Sequence, residues 1–478
     1  MLYRSMNELK LSNLAIVSNR GPYSLEVSGG RSRWVRAPGG LVTALDPVLR
    51  AQEGVWVYAS PLSSRHSEQE HEETPPELPY RVEGVPLSPT DYREYYAKIS
   101  NEVMWPVLHG FAPTTPVAEV AWERYEKVNR LFAERLLKVT SEDAFLWVHD
   151  YHLMLVPGEV RRARPTARIS WFCHVPWPAF DDFRILPWRK QILESLLSAD
   201  ILGFHCRRYA EAFLRAVTRL SHWKVDQNAL RAEGDGRTVQ VMVAPIGIPV
   251  QESEDLVNTA AIQRLAAEIR LRFGGRKLIL GVDRLDYTKG IVERLRAFDH
   301  LLRTHRSMRD ECVYLQILVP SRTDVPAYGR LKNEIDQLVG AINARFGEIG
   351  HTPVHCLFRH VDRDTLFALY ALADAVWVSS LRDGMNLVAQ EYVSARTRDD
   401  GALVLSEFAG VADYLKEAIL VNPYDKLDME RGIFEALRQN PERAQERMKA
   451  LRASVRALDV HRWAEGCLTS LVELGKRA

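Results

Sequence analysis

The sequence predicts an α/β protein built from two doubly wound domains in tandem, and three observations predict it. At 478 residues the chain exceeds one ordinary core, since domains run to roughly 100–200 residues. Short apolar runs recur at Ala15–Val17, Phe145–Val148, Ile169–Phe172, Ile201–Phe204, Val239–Val243, Leu278–Val282, Val313–Val319, Ala375–Val378, Ala402–Leu405 and Ala418–Val421. They are nearly continuous rather than alternating, the pattern of parallel strands covered on both faces. Helical spacing fills the intervals, as at Ile262, Leu265, Ile269 and Phe273, which Gly274-Gly275 then stops. Strand and helix alternating over the whole length means a doubly wound sheet, twice.

The boundary falls at Pro245-Ile246-Gly247-Ile248-Pro249, where a strand runs into Pro and Gly and the acidic stretch Gln251–Asp255 follows. Domains of 1–246 and 247–478 result. Gly21–Gly40 reads as a loop with a turn at Gly29-Gly30, and the polar run Ser64–Pro79 as a solvated surface loop. With 63 Lys+Arg against 62 Asp+Glu and a net charge of +1, nothing draws the chain to nucleic acid or an anionic membrane. Five cysteines, Cys173, Cys206, Cys312, Cys356 and Cys467, are scattered and form no CxxC pair. They read as thiols in a reducing cytosol. No stretch approaches the roughly 20 apolar residues of a membrane span, and Met1–Leu11 lacks a signal-peptide pattern. The expected location is the cytoplasm.

Ligands of open α/β sheets bind at the carboxyl ends of the strands, where helix N-termini offer free N–H groups to anions. After Leu278–Val282 the chain reads Asp283-Arg284-Leu285-Asp286-Tyr287-Thr288-Lys289-Gly290, with a helix expected from Ile291. Arg284 and Lys289 can therefore converge on a diphosphate beside a helix dipole; a solvated charged loop is the competing reading. After Ala375–Val378 comes Ser379-Ser380-Leu381-Arg382-Asp383-Gly384-Met385-Asn386-Leu387-Val388-Ala389-Gln390-Glu391. Gly384 lets backbone approach a ligand and Asp383 can accept from sugar hydroxyls, or simply cap the helix. In the first half, His149-Asp150-Tyr151-His152 and Cys173-His174-Val175 both follow strands. The histidines lack HExxH spacing and a third ligand, so no metal centre is expected. Gly39-Gly40 and Ser18-Asn19-Arg20 are weak signals alone, and Tyr96 and Trp105 lie in an aromatic segment that reads as helix core.

Taken together, Ser18-Asn19-Arg20, Gly39-Gly40-Leu41, Tyr95-Tyr96, Asn101 to Trp105-Pro106, His149-Asp150-Tyr151-His152-Leu153, His174-Val175-Pro176, Arg284 to Gly290, Ser321-Arg322 and Arg382 to Val388 resemble glycosyltransferase family 20 over nearly the full chain. The resemblance implies the GT-B architecture, two Rossmann-like domains facing a cleft that closes about a hinge near Pro245–Val250, with a last helix around His461–Leu474 crossing back to the first domain. It implies that Arg284 and Lys289 grip the diphosphate of the donor, UDP-glucose or another NDP-glucose. Glu391 would hold the ribose, and Asp383 with Gly384 and the backbone of Met385, Asn386, Leu387 and Val388 the glucose and its phosphates. Gly39 and Gly40 would close over the diphosphate, and His174 would contact the transferred sugar.

The acceptor phosphate would lie on Arg20, Tyr96, Trp105 and Arg322, and the acceptor hydroxyls on Asp150. The implied chemistry is a retaining transfer with no covalent intermediate, no cofactor and no metal, its catalytic set Arg284, Lys289, His174, Asp150 and Asp383. Intact Ser-Asn-Arg and Gly-Gly-Leu motifs favour glucose 6-phosphate as acceptor, giving α,α-trehalose 6-phosphate. Gly21-Pro22-Tyr23 and Ile185–Arg189 also resemble the glucosylglycerol-phosphate synthases of the same family, which use glycerol 3-phosphate. Gln390 stands where lysine is common. A catalytically silent sugar-phosphate sensor would not need Arg284, Lys289, Asp383 and Glu391 all intact, and a Rossmann dehydrogenase would need a G-x-G-x-x-G that follows no strand here. Without an Asp-x-Asp-x-Thr motif, the product is expected to pass to a separate phosphatase. The sequence is compatible with a homo-oligomer and does not fix one.

Overall fold

Two parallel sheets organise the chain, each assembled from the apolar runs that only a doubly covered sheet can bury. The computed structural model describes residues 13–28, 31–37, 40–52, 54–61, 78–113, 119–321 and 326–477. The chain divides into one unit formed by Met1–Pro245 with His461–Ala478, and a second formed by Ile246–Val460.

The strands of the first unit are β1 (Leu14–Ser18), β2 (Tyr23–Ser28), β3 (Arg31–Arg36), β4 (Val55–Pro61), β5 (Arg81–Leu87), β6 (Phe145–His149), β7 (Arg168–Phe172), β8 (Ile201–Phe204), β9 (Lys224–Asp226), β10 (Arg231–Gly234) and β11 (Arg237–Val243). The main sheet runs β5-β4-β1-β6-β7-β8-β11-β10-β9. Its order reverses between β1 and β6, and this switch point opens a crevice at the carboxyl ends of the strands. Register fixes what lines that edge: Val17 pairs Val148, and His149 pairs Phe172. The residues that follow these three strands therefore emerge side by side.

The second unit carries β12 (Lys277–Arg284), β13 (Cys312–Val319), β14 (Val354–Phe358), β15 (Ala375–Val378), β16 (Ala402–Ser406) and β17 (Ile419–Val421), in the parallel order β14-β13-β12-β15-β16-β17. Here the switch point lies between β12 and β15. Arg294, fully buried beneath this sheet, is held by Asp283 at 2.5 Å, and Gln316 donates to the same carboxylate. A buried guanidinium needs such a partner, because an unpaired buried charge is costly.

The predicted strands and the helices Ala260–Arg272, Ile291–Thr304 and Leu387–Ala395 are present, and Gly274 and Gly275 leave the first of these helices at φ 60° and 77°. Three expectations need correction. Within Gly21–Gly40 the chain forms the antiparallel hairpin β2–β3, Tyr23 opposite Arg36 and Ser28 opposite Arg31; Gly29-Gly30 itself lies outside the described residues, as does nearly all of Ser64–Pro79. Strands β4, β5, β9, β10 and β14 join the sheets unpredicted. β4 has the apolar signal in Val55–Tyr58, whereas β5 contains Gly84 and Pro86 and β14 is a half-exposed edge. Finally, Asp383 does not cap the helix Leu387–Ala395: the cap is Asn386, whose side chain accepts from the Ala389 N–H at 3.0 Å.

Candidate active site

In the first unit, the turn after β1 is built by Ser18, which donates to Arg20 O at 2.6 Å and accepts from Trp56 Nε1 at 2.8 Å. Asn19 accepts from the Tyr95 hydroxyl at 3.1 Å. Both side chains are spent on the loop, and Arg20 projects exposed from it. The aromatic segment is more than helix core. Residues Arg93–Met104 wind with wide i→i+5 turns, the Trp105 N–H reaching Ser100 O, a rare helix type that is frequently found at functional sites. The wide turn sets Tyr92 and Tyr96 in a stack at 5.0 Å, Tyr96 over His152 at 5.6 Å and His152 against Tyr151 at 4.0 Å. Trp105 reaches Tyr151 at 5.9 Å, and the Tyr151 hydroxyl donates to Asn101. Burial and Tyr96 push the Tyr92 phenol far above its ordinary range while the Arg20 charge opposes them, so Arg20 overlooks the same stack.

Asp150 follows β6 with φ 74° and ψ 170°, a region only glycine occupies readily and costing of order 1–3 kcal/mol for other residues. Hydrogen bonds on its N–H, carbonyl and carboxylate impose it. Its N–H donates to Phe172 O at 2.7 Å, its carbonyl accepts from Trp171 Nε1 at 3.2 Å, and its carboxylate accepts from the His174 N–H at 3.3 Å. His152 Nδ1 lies 3.8 Å from the other carboxylate oxygen. Beside it, His149 Nδ1 and His174 Nε2 are 3.0 Å apart. Burial alone drives His149 down to about 3; burial, then His149 and His205, hold His174 well below the usual histidine range. Both rings are neutral at physiological pH.

In the second unit, two loops meet at the switch point. Leu381 N–H donates to Thr288 O at 2.7 Å and Ser379 Oγ to Gly290 O at 2.9 Å. Gly290 sits at φ 62°, and a Cβ there would stand 2.1 Å from Ser379 O, so only glycine lets the loops close. Their approach joins Lys289 Nζ to Asp383 Oδ2 at 2.7 Å, an oxygen that also accepts from Asn386 Nδ2 at 2.9 Å and Ser380 Oγ at 3.1 Å. Asn386 takes a left-handed φ of 73° to serve as cap and as donor to Asp383. Gly384 and Met385 complete the loop, Met385 O accepting from the Val411 N–H at 3.0 Å. The N–H groups of Leu387 and Val388, at the start of the helix, have no acceptor one turn back within it and can receive an anion. Arg284 is exposed at the end of β12.

Glu391, one turn into the helix, accepts from the Tyr370 hydroxyl at 3.0 Å. Burial pushes its pKa up to about 7, against that hydrogen bond and Arg363. Gln390 takes no part in the site: it is buried, and its Nε2 donates to Ile246 O.

The structure thus groups Arg20, Tyr96, Trp105, Asp150 and His174 in one unit, and Arg284, Lys289, Asp383, Gly384, Met385, Asn386, Leu387, Val388 and Glu391 in the other. Gly40 opens the helix Gly40–Gln52; Gly39 and Arg322 lie outside the described residues. The sequence reading left His149, His152 and Tyr370 without a role. His149 and His152 carried a signal in their place after β6, whereas nothing in the sequence ties Tyr370 to Glu391.

Known proteins resemble the chain over nearly its whole length. The family model described as Glycosyltransferase family 20 matches residues 12–473. Trehalose-6-phosphate synthase of Mycobacterium avium (strain 104) is 42% identical over 476 residues, covering 98% of this chain and 96% of that protein. The enzyme of the same name from Mycobacterium tuberculosis (strain H37Rv) is 42% identical over 472 residues, 96% of this chain and 94% of that one. Among solved structures, a Burkholderia xenovorans α,α-trehalose-phosphate synthase (UDP-forming) in complex with glucose-6-phosphate superposes with TM-score 0.87 at 34% identity, covering 96% of this chain and 100% of the other. An E. coli structure bound with UDP-2-fluoro glucose superposes with TM-score 0.88 at 31% identity, covering 96% and 99%. With the family model spanning nearly its whole length, the chain belongs to glycosyltransferase family 20.

Proposed function

We propose that the protein transfers glucose from UDP-glucose to glucose 6-phosphate, with retention, giving α,α-trehalose 6-phosphate and UDP. The observation that carries this reading is the joint presence of two half-sites of complementary chemistry: an aromatic, arginine and aspartate set in one unit and a cationic loop at a helix N-terminus in the other. The trehalose-6-phosphate synthases at 42% identity over 98% of the chain support it.

In this reading Arg284, Lys289 and the N–H groups at Leu387 and Val388 receive the diphosphate, and Glu391 receives the ribose hydroxyls. Lys289 rests on Asp383, so an arriving diphosphate competes with a carboxylate for the ammonium. Asp383 remains satisfied by Ser380 and Asn386 and can turn its acceptor capacity to the glucose hydroxyls. Arg20, Tyr96 and Trp105 take the acceptor phosphate, with Asp150 on the acceptor hydroxyls and His174 on the transferred glucose. As the bond from the anomeric carbon to the diphosphate oxygen breaks, the electron pair leaves with the diphosphate. The acceptor oxygen bonds to the anomeric carbon on the same face, and its proton passes to the departing phosphate oxygen. Fixed donors aimed at such developing charge are worth roughly 3–4 kcal/mol each. Arg284, Lys289 and the helix terminus supply that neutralisation, so the reading includes activity without a divalent cation.

The test is UDP release from UDP-glucose in EDTA, with glucose 6-phosphate or glycerol 3-phosphate as acceptor. Release with glucose 6-phosphate alone is expected; release only with glycerol 3-phosphate overturns the acceptor assignment, and silence with both overturns the activity.

A further inference from the structure

We propose that His149 is a positioning residue that fixes His174 as its Nδ1–H tautomer, so that His174 meets the transferred sugar as a hydrogen-bond donor. The functional half of this rests on the reading that His174 contacts that sugar.

The geometry begins with the 3.0 Å approach of His149 Nδ1 to His174 Nε2. Two nitrogens at that distance share one proton: with two they repel, and with none the lone pairs face each other. Both rings are kept neutral by burial, so each carries one proton, and two arrangements satisfy the bond. In the first, His149 donates from Nδ1, its Nε2 is bare, and His174 accepts at Nε2 and carries its proton on Nδ1. In the second, His174 donates from Nε2, its Nδ1 is bare, and His149 carries its proton on Nε2.

What separates them is His149 Nε2, which is buried without a hydrogen-bond partner among the described residues. Its surroundings are aromatic: Trp147 lies 4.7 Å away and Phe172 6.5 Å, centroid to centroid. The second arrangement would bury an N–H donor there unsatisfied; the first leaves only a bare lone pair. Orphaned buried N–H groups are rarer in folded proteins than under-satisfied acceptors. The first arrangement follows, and it makes the choice of proton position on His174 a property of its neighbour, as in other sites where the partner on one ring nitrogen sets the other. The remaining walls of the cluster, His205 at 5.3 Å and Trp463 at 6.0 Å from the His174 ring, restrict the ring from flipping.

Nuclear magnetic resonance of the full chain with ¹⁵N-labelled histidine reads the tautomers directly, with His149 and His174 variants for assignment. Protons on Nδ1 of both residues are expected; a proton on Nε2 of His174 overturns the proposal. Kinetics with UDP-glucose and glucose 6-phosphate provide the second readout. His149→Phe keeps the ring and loses the donor, and kcat should fall by roughly tenfold to a hundredfold with KM for glucose 6-phosphate unchanged. His149→Asn places an amide N–H where Nδ1–H stood and should recover most of that loss. Equal kcat in the Phe and Asn variants would overturn the positioning role. Normal turnover in His174→Ala would instead overturn the sugar contact, while leaving the tautomer result standing.

Discussion

The two units handle charge in opposite ways at the ends of their sheets. In the first unit the cluster is made of aromatic rings, Tyr92, Tyr96, His152 and the neutral His149 and His174, around Asp150, whose position is enforced by a backbone conformation that costs energy. In the second unit the functional groups are charged and already answered: Lys289 by Asp383 at 2.7 Å, and Asp383 further by Ser380 and Asn386. One half is held ready by strain and desolvation. The other is held at rest by an internal counter-ion, and a site of that kind has its cation in place without leaving it unpaired.

Breaking the ion pair gives the largest expected effects. Lys289→Ala should lower kcat by about 10²–10³ and also destabilise the chain, because Asp383 loses its cation; removing one partner of a buried pair costs roughly 3–5 kcal/mol. The double variant Lys289→Ala with Asp383→Asn should regain most of the stability and none of the turnover, as chemical denaturation and UDP-release assays would reveal. Stability unchanged in the single variant would mean that the pair is incidental.

Strain in the other half is tested at Asp150. Asp150→Ala and Asp150→Gly both delete the carboxylate and should be comparably inactive. Only glycine relieves the backbone at φ 74°, so the Gly variant should be about 1–3 kcal/mol more stable than the Ala variant. Equal melting temperatures would refute the strain.

Taken per unit of pH, the smallest effects are two slopes of opposite sign. His149 has an ordinary value of 6.5 and a folded one of about 3. Below pH 6.5 the unfolded chain takes up a proton that the folded chain refuses, so stability falls with falling pH, by up to about 1.4 kcal/mol per pH unit. Glu391 rises from 4.5 to about 7. Between these values the folded chain keeps a proton that the unfolded chain has released, so this group's contribution is present at low pH and is lost as pH rises towards 7, with a similar limiting slope. His149→Phe should flatten the acid side of the stability–pH curve, and Glu391→Gln should raise stability at pH 8 relative to pH 5. A curve unchanged in either variant would contradict the assignment of that slope.

Much of this was legible from residue order. A central parallel strand must be apolar throughout, so β1, β6, β7, β12, β13, β15 and β16 announced themselves, and the loops after β12 and β15 followed from where such sheets bind ligands. Edge strands escaped: β14 exposes His355 and Phe358 and is buried only at Val354, and β5 carries Gly84 and Pro86, which weaken any strand signal. At the sites the residue types could be read, but their partners could not. Asp383 was one candidate cap for a helix that Asn386 caps, since only the left-handed turn at Asn386 decides between two good capping residues. The His149–His174 bond and the Tyr370–Glu391 bond join residues on separate elements, and no local periodicity encodes them.

Trp463, whose ring packs at 6.0 Å from His174 and 5.3 Å from Trp147, belongs to the first unit although all of the second unit precedes it along the chain. During synthesis, the pocket around His174 therefore waits with an open wall until residues beyond His461 leave the ribosome. The first unit is begun first and finished last, and a nascent chain arrested within the second unit would hold Arg20, Tyr96, Trp105, Asp150 and His174 yet lack the Trp463 side chain that packs against His174.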